Sequence, residues 1–266
     1  MTMLVLGPEG TFSHELAYRV FEREDITLVP TIQQIFSGVE EGTCQGLIPL
    51  ENSEAGGVGP SLDGFFNHSV YICGELFMPI HHHLVSFLPL DSVDVIYVHP
   101  QTHEQCSRLI EELSIPVIHT ASNAASAKAV LDSRRSAAIV SMMAARLYQI
   151  PVQRECVENN PQNVTRFVTI SATPVESVHP GKCSIVVDPR EDRAGLLHSL
   201  LSIFAERGIN LTRIESRPSK RGIGSYVFFI DFEHTPAGSE AITMLQDLAR
   251  VKYLGCYGEI EVPKWR

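Results

Sequence analysis

The stretch Val93-Asp94-Val95-Ile96-Tyr97-Val98-His99-Pro100-Gln101 carries the pattern from which the fold can be read. Its β-branched and aromatic run, residues 93–98, predicts a strand, and Pro100 stands where a helix opens, extending to about residue 113. The unit recurs twice. Residues 117–119 form a strand before Ser122-Asn123 and an alanine-rich helix, and residues 137–140 form another before Ser141 and a helix to residue 148. Strands alternating with helices need crossovers, and crossovers build parallel sheets with helices on their faces.

Working outward, residues 4–6 read as a short buried strand running into Gly7-Pro8-Glu9-Gly10-Thr11-Phe12-Ser13. A helix follows with Leu16, Ala17, Val20 and Phe21 on one face and Thr11 or Ser13 as its cap. Thr31-Ile32-Gln33-Gln34 has capping-box spacing, and Ile32, Ile35, Phe36 and Val39 give a second helix its buried face, ending near Gly42. Residues 46–50 form a strand that ends in Glu51-Asn52-Ser53, followed by a glycine-rich loop through Gly56, Gly57 and Gly59. Residues 70–77 and 83–87 are further strands. In such sheets ligands sit beyond the carboxyl ends of the strands, where helix N-termini offer free N–H groups to anions. Thr11/Ser13, Glu51/Asn52/Ser53, His99/Gln101, Thr120/Ser122/Asn123 and Ser141 all fall at those ends. Each alone is explained by a helix cap; together they predict a cleft for an anionic, oxygen-rich ligand between two α/β lobes.

The segment Asn159-Asn160-Pro161-Gln162-Asn163-Val164-Thr165-Arg166-Phe167 is read as the crossing from the second lobe back to the first. Strand alternation puts Thr165 and Phe167 on one face and Arg166 on the other. Either the chain is irregular there, or Arg166 braces the cleft from behind through Glu or backbone oxygens.

Residues 173–181 break all periodicity and read as a linker. Beyond them the order is strand 183–188, helix 194–207, strands 209–216 and 226–232, helix 238–251 and strand 258–262: the ferredoxin-like βαββαβ arrangement. The fold class is α/β, with a two-lobed, periplasmic-binding-protein-like domain over 1–172 followed by the ferredoxin-like unit over 182–266. Lobe 1 takes about 1–77 plus 159–172 and lobe 2 about 78–158.

Composition narrows the partners. The chain has 266 residues, 44% apolar and 20% charged, with 31 acids against 21 bases and a net charge of −10. That balance argues against nucleic acid, and no apolar run approaches the ~20 residues of a membrane helix. The N-terminus has neither the basic start nor the apolar core of a signal peptide. Six scattered cysteines with no Cys-x-x-Cys predict reduced, mostly packed thiols and a cytoplasmic setting. Gly7-Pro8-Glu9-Gly10-Thr11 lacks the Lys-Ser/Thr of a phosphate loop. His81-His82-His83 lacks neighbours with ligand spacing, so no metal and no cofactor is expected. Glu51 is open between acid–base work and orienting its neighbours.

Taken in order, Gly7-Pro8-x-Gly10-Thr11-Phe12-Ser13, Pro49-Leu50-Glu51-Asn52-Ser53 with Gly56 and Val58, His99-Pro100-Gln101, and Asn163-x-Thr165-Arg166-Phe167 resemble the prephenate dehydratase family. Ala194-Gly195-Leu196-Leu197, Gly208-Ile209-Asn210-Leu211-Thr212 and Glu215-Ser216-Arg217-Pro218 resemble the ACT regulatory domain carried by that family. Two departures stand out: Val98 where the family usually has Ser, and Asn123 where Thr is common. The resemblance implies a lyase making phenylpyruvate from prephenate without metal or nucleotide, with arogenate as the rival substrate. It implies that Thr165 faces the departing hydroxyl. A threonine is too weak an acid to deliver a full proton unaided, so it is expected to hydrogen-bond the leaving oxygen. Thr11, Ser13, Glu51, Asn52, Ser53, Gln101, Ser122, Asn163, Arg166 and Phe167 are the substrate-binding candidates. Ala194, Gly195, Leu196, Leu197, Asn210, Leu211, Glu215, Ser216, Arg217 and Pro218 are the candidates for L-phenylalanine at a contact between ACT domains, which implies a homodimer or homotetramer. A non-catalytic amino-acid sensor is the reading from another class.

Overall fold

The structure is a computed structural model, describing residues 2–175, 177–191, 193–222 and 224–263. The first lobe is built from strands β1 (Met3–Leu6), β2 (Ile26–Val29), β3 (Gln45–Asn52), β4 (Gly56–Gly57) and β5 (Tyr71–Pro79), with helices α1 (Phe12–Val20), α2 (Ile32–Glu40) and α3 (Gly59–Asn67). The second holds β6 (His83–Ser86), β7 (Val95–Val98), α4 (Pro100–Gln105), α5 (Ser107–Leu113), β8 (Val117–His119), α6 (Asn123–Asp132), β9 (Ser136–Val140), α7 (Met142–Leu147) and β10 (Val152–Arg154). The chain then returns through β11 (Val164–Ser171). The C-terminal unit follows as β12 (Lys182–Pro189), α8 (Leu196–Ala205), β13 (Leu211–Pro218), β14 (Tyr226–Glu233), α9 (Gly238–Leu248) and β15 (Ala249–Glu259).

The repeating unit read from residue 93 gives parallel pairs β7–β8 and β7–β9, as crossovers require, and antiparallel β6 and β10 close the sheet in the order β10-β6-β9-β7-β8. Thr31, Ser122 and Ser141 each accept a backbone N–H three residues on, so the helix starts are capped as their sequence implies. Several boundaries differ. The helix expected over 100–113 breaks at Cys106 (ψ 22°) into α4 and α5. The glycine-rich loop is instead β4 and α3, because Pro60 at the first turn starts a helix despite the glycines. The last helix stops at Leu248, and the final strand begins at once at Ala249 rather than at 258; Val251 and Tyr253 favour extended backbone, and the cross-strand ladder to β12 selects it. The short strands β2 and β10 carry too little pattern to be read from sequence.

Between β5 and β6 the chain crosses to the second lobe, and between β10 and β11 it returns. The two crossings are tied by Ile80 N–H to the Asn163 carbonyl (2.9 Å) and Val157 N–H to the His82 carbonyl (2.8 Å). The C-terminal unit has the antiparallel order β13-β14-β12-β15 expected of βαββαβ, but it is not an appended body. β15 pairs in parallel with β5 (Gly258 with Gly74, Glu259 with Glu75), so one ten-stranded sheet runs through both units. Val186, Val227, Phe229, Leu254 and Tyr257 share an apolar core with Phe36, Phe65 and Ile170 of the first lobe.

The expectation of wholly reduced thiols is corrected. Antiparallel register places Cys183 opposite Cys256, and a disulfide joins them, while Cys44, Cys73, Cys106 and Cys156 are free. A pairing across 73 residues follows from strand register and cannot be deduced from spacing. No helix among the described residues is long and apolar enough to cross a membrane.

Candidate active site between the lobes

A cavity of about 350 Å³ lies between the lobes, and the N-terminal ends of five helices meet on its wall. Thr11, Phe12 and Ser13 come from α1, Ile32 from α2, Val58 from the start of α3, His99, Gln101 and Thr102 from α4, and Ser122 and Asn123 from α6. Their unbonded N–H groups and aligned dipoles favour an anion. No Asp, Glu, Lys or Arg lines the cavity among the described residues, so a carboxylate there would be held by neutral donors.

Thr165 and Phe167 face this cavity from β11. Asn52 fixes the threonine: its Nδ2 donates to Thr165 Oγ1 (2.9 Å) and to Asn163 Oδ1 (2.6 Å), while its Oδ1 accepts the N–H groups of Glu54 (3.1 Å) and Ala55 (3.0 Å). A hydroxyl that accepts from an amide keeps its own proton to donate, and accepting makes it a somewhat better donor. Thr165 is thus pre-set to donate a hydrogen bond. Thr11 is the cap of α1, accepting from His14 N (3.3 Å) and donating to the Leu6 carbonyl (3.0 Å), so its hydroxyl proton is already committed. Ser122 Oγ accepts from Ala125 N (3.0 Å) and retains its proton.

Other predicted residues stand off the cavity wall. Asn163 is fully buried against Asn52, and Ser53 is locked to Val164, its Oγ accepting Val164 N–H (3.0 Å) and its N–H reaching the Val164 carbonyl (2.9 Å). They hold the turn that holds Thr165. Glu51 is off the cavity wall and accepts from Arg166 (2.8 Å) and Arg213 (2.9 Å).

Arg166 as a direct substrate ligand is corrected as well. The ladder between β3 and β11 shifts register between Arg166 and Phe167, yet alternation survives, and Arg166 projects to the back of the sheet. There its guanidinium, 3% exposed, donates to Glu75 (2.7 Å), Glu51 (2.8 Å), Asp231 (2.6 Å) and the Tyr257 hydroxyl (2.8 Å). Burial opposes its charge, but Asp231, Tyr257 and Glu75 more than reverse that, so it stays protonated. Ser184 bonds both Asp231 and Tyr257 (2.5 Å each), and burial together with Asp231 pushes the Tyr257 phenol well above its ordinary range. Through Arg166 the strand carrying Thr165 is therefore bolted, from behind, to Asp231 and Tyr257 of the C-terminal unit.

The effector candidates divide between two faces of the C-terminal sheet. Glu215 meets Arg213 and Gly57, and Arg217 meets Asp63 (3.2 Å) and Gly59, all toward the first lobe. Leu196 lies on the far side with α8 and lines a separate hollow of about 230 Å³ with Pro189, Arg221, Tyr226 and Phe228. Asn210 bonds Glu233 (2.9 Å), and Leu211 packs against the helix-side core. Within one chain these residues do not form one pocket. Leu211, Glu215 and Arg217 have the same strand parity, and the register shift between Leu211 and Arg213 turns Leu211 to the helix side while Glu215 and Arg217 face the first lobe.

The histidine triplet contributes a residue that motif reading passed over. His82 lines the cavity and is 1% exposed. Burial holds its pKa down to about 4, against the opposite pull of Gln105 and Glu158. His81 Nδ1 meets Glu158 Oε1 at 2.7 Å, and with Cys156 these three have ligand atoms within 4.8 Å, proximity that sequence spacing concealed. The other oxygen of Glu158 accepts His82 N–H (2.9 Å), so the carboxylate serves to hold the crossing strand. Val98 is fully buried in the second lobe's core, which explains why it dispenses with a hydroxyl; Asn123 lines the cavity and accepts from Thr102 (2.8 Å).

The family model described as prephenate dehydratase matches residues 3–175, and that of the ACT domain matches residues 190–250. A prephenate dehydratase of Methanocaldococcus jannaschii is 35% identical, over 94% of this chain and 95% of its own. A bifunctional chorismate mutase/prephenate dehydratase of Pseudomonas aeruginosa is 39% identical, over 95% of this chain and 72% of its own. An arogenate dehydratase/prephenate dehydratase of Arabidopsis thaliana is 30% identical, over 94% of this chain and 70% of its own. Among solved structures, the prephenate dehydratase of Arthrobacter aurescens in complex with L-Phe superposes with a TM-score of 0.88 at 30% identity, covering 99% of this chain and 93% of that one. With a family model spanning well over half its length and relatives matched nearly end to end, the chain belongs to the prephenate dehydratase family.

Proposed function

We propose that the inter-lobe cavity converts prephenate to phenylpyruvate by coupled decarboxylation and dehydration. The ring carboxylate leaves as carbon dioxide, its bonding electrons aromatise the ring, and the C–O bond at the opposite carbon breaks. The departing oxygen gathers charge and takes a proton to leave as water. Thr165 Oγ–H, turned outward by Asn52, donates a hydrogen bond to that oxygen, and this single observation carries the reading. The carboxylates rest on Ser13, Gln101, Ser122 and the helix N-termini around them. Neutral donors stabilise them without the tight ion pair that would favour the ground state over the transition state. With no carboxylate on the wall among the described residues to pair an ammonium, prephenate is preferred to arogenate. Assaying phenylpyruvate formation tests this: Thr165→Ala should lose about 100- to 1,000-fold in kcat, the usual cost of one well-aimed donor. A folded variant turning over at the parent rate removes Thr165 from the mechanism, and kcat/KM favouring arogenate removes the substrate preference.

The catalytic unit is assigned to 1–172, the linker to 173–181 and the ACT unit to 182–266. L-Phenylalanine is its feedback effector, a reading supported by the ACT family match and by the ligand of the Arthrobacter structure. The effector binds where the start of α8 (194–197) meets a second ACT unit in a homodimer or homotetramer, while Glu215 and Arg217 relay the event to the first lobe. The enzyme acts in the cytoplasm. Calorimetry of the full chain with L-phenylalanine, beside its sedimentation, checks both: absence of binding, or a monomer, overturns this part.

A further inference from the structure

The two crossings between the lobes bring together three side chains that lie far apart in the sequence. His81 sits on the outgoing crossing, between β5 and β6, and Cys156 and Glu158 sit on the returning one, between β10 and β11. One ligand atom from each, a ring nitrogen, a thiol sulfur and a carboxylate oxygen, lies within 4.8 Å of the other two. His81 Nδ1 stands 2.7 Å from Glu158 Oε1. Glu158 is fixed from its other side, where Oε2 accepts the His82 N–H (2.9 Å), and Val157 N–H reaches the His82 carbonyl (2.8 Å), so the crossings are tied at this point. Cys156 is a free, exposed thiol held at φ 51°, a left-handed conformation that a residue with a Cβ adopts at a cost.

The donor types select the ligand. Thiolate, imidazole and carboxylate are the donors of zinc sites, whereas magnesium and calcium take oxygen. Zinc bonds of about 2.0–2.3 Å in a tetrahedral array set the ligand atoms about 3.4–3.6 Å apart. The His81–Glu158 pair therefore needs to open by only about 0.7 Å as Cys156 swings inward. We propose that His81 Nδ1, Cys156 Sγ and Glu158 Oε1 form a binding site for a zinc-class divalent cation, which clamps the outgoing and returning crossings together. Entry is from solvent. The His81 side chain is 42% exposed and Cys156 is exposed, so these two meet the cation first; the Glu158 carboxylate, its side chain 1% exposed, is the floor that His81 Nδ1 already touches. On binding, Cys156 releases its thiol proton, and His81 presents the Nδ1 lone pair with its ring proton on Nε2. Thiolate and carboxylate then balance the two positive charges, and the fourth position is left to water. The site stands apart from the reaction assigned to the cavity and draws on none of the residues that line it.

Cobalt(II), which takes the same ligands as zinc and reports them optically, is the probe. The full chain, freed of metal with a chelator and kept from air, is titrated with cobalt(II) chloride and followed by absorbance. The expected result is one cobalt per chain with a near-ultraviolet thiolate-to-cobalt charge-transfer band, lost on adding zinc and kept on adding magnesium. The thermal unfolding midpoint should rise with the metal bound. Cys156→Gly deletes the sulfur and suits the left-handed backbone, so it should fold at least as well as the parent and lose the band. His81→Ala should weaken cobalt binding at least about tenfold, the loss that even an outer partner of a metal ligand causes. If the parent chain takes up no cobalt, or Cys156→Gly keeps the charge-transfer band, the proposal fails, and His81–Glu158 is only a hydrogen bond that holds the crossing. Equal cobalt affinity in folded His81→Ala and the parent overturns it as well. Should His81→Ala not fold, Cys156→Gly decides alone.

Discussion

Replacing Arg166 by Met tests whether this arginine braces the catalytic strand or grips the substrate. The substitution keeps most of the bulk and deletes a guanidinium that makes four hydrogen bonds of 2.6–2.8 Å. Three carboxylates lose a partner unequally: Glu75 retains Lys182 (2.8 Å) and Glu51 retains Arg213 (2.9 Å), whereas Asp231, 3% exposed, is left with Ser184. Breaking a buried pair by removing one member typically costs about 3–5 kcal/mol. With a urea slope of about 3 kcal/mol/M, the unfolding midpoint should fall by about 1 M or more. The loss should change little with salt, because the cluster is buried. Asp231→Asn, which keeps the Ser184 contact, should show the same trend at about half the size, since a hydrogen bond to a charged group contributes about 1.5–3 kcal/mol. Activity measured on the folded fraction should fall through kcat as Thr165 loses its backing. An unchanged midpoint with KM raised tenfold would refute the bracing role and restore Arg166 as a substrate ligand.

Asn52→Ala frees the Thr165 hydroxyl to rotate and should cut kcat by about 10- to 100-fold with KM little altered, the loss of one hydrogen bond that acts on orientation; unchanged kcat in steady-state assays would show that Thr165 needs no orienting partner. Stability should fall on acidification. His82 folds with a pKa of about 4 against 6.5 for the free side chain, so its contribution is complete above pH 6.5 and is lost as pH drops toward 4. The full swing is about 3 kcal/mol, His14, His83 and His99, also lowered by burial, add in the same direction, and urea midpoints between pH 7 and 4 should flatten in His82→Leu. Thiol titration of the denatured, unreduced chain should count four groups, not six. Cys256→Ser should cost up to about 4 kcal/mol for a loop of 73 residues, and equal midpoints with and without reductant would argue that the link contributes nothing.

The amino-acid sequence by itself determined the local structure and the chemistry on offer. Hydrophobic period and caps such as Thr31, Ser122 and Ser141 set the helices, and the strand–helix repeat from Val93 set the parallel sheet, because both follow from contacts within a few residues. The same alternation implied that Thr165 and Arg166 face opposite ways. What period two cannot say is what waits on each side. Tertiary structure decided that Thr165 meets Asn52 and a cavity, and that Arg166 meets Asp231 and Tyr257 from a unit that the linker made look separate. The joining of β5 to β15, the Cys183–Cys256 link and the burial of His82 depend on registers between residues tens to nearly two hundred positions apart. Those long-range pairings are selected by the summed packing of the whole chain, and no window of sequence contains them.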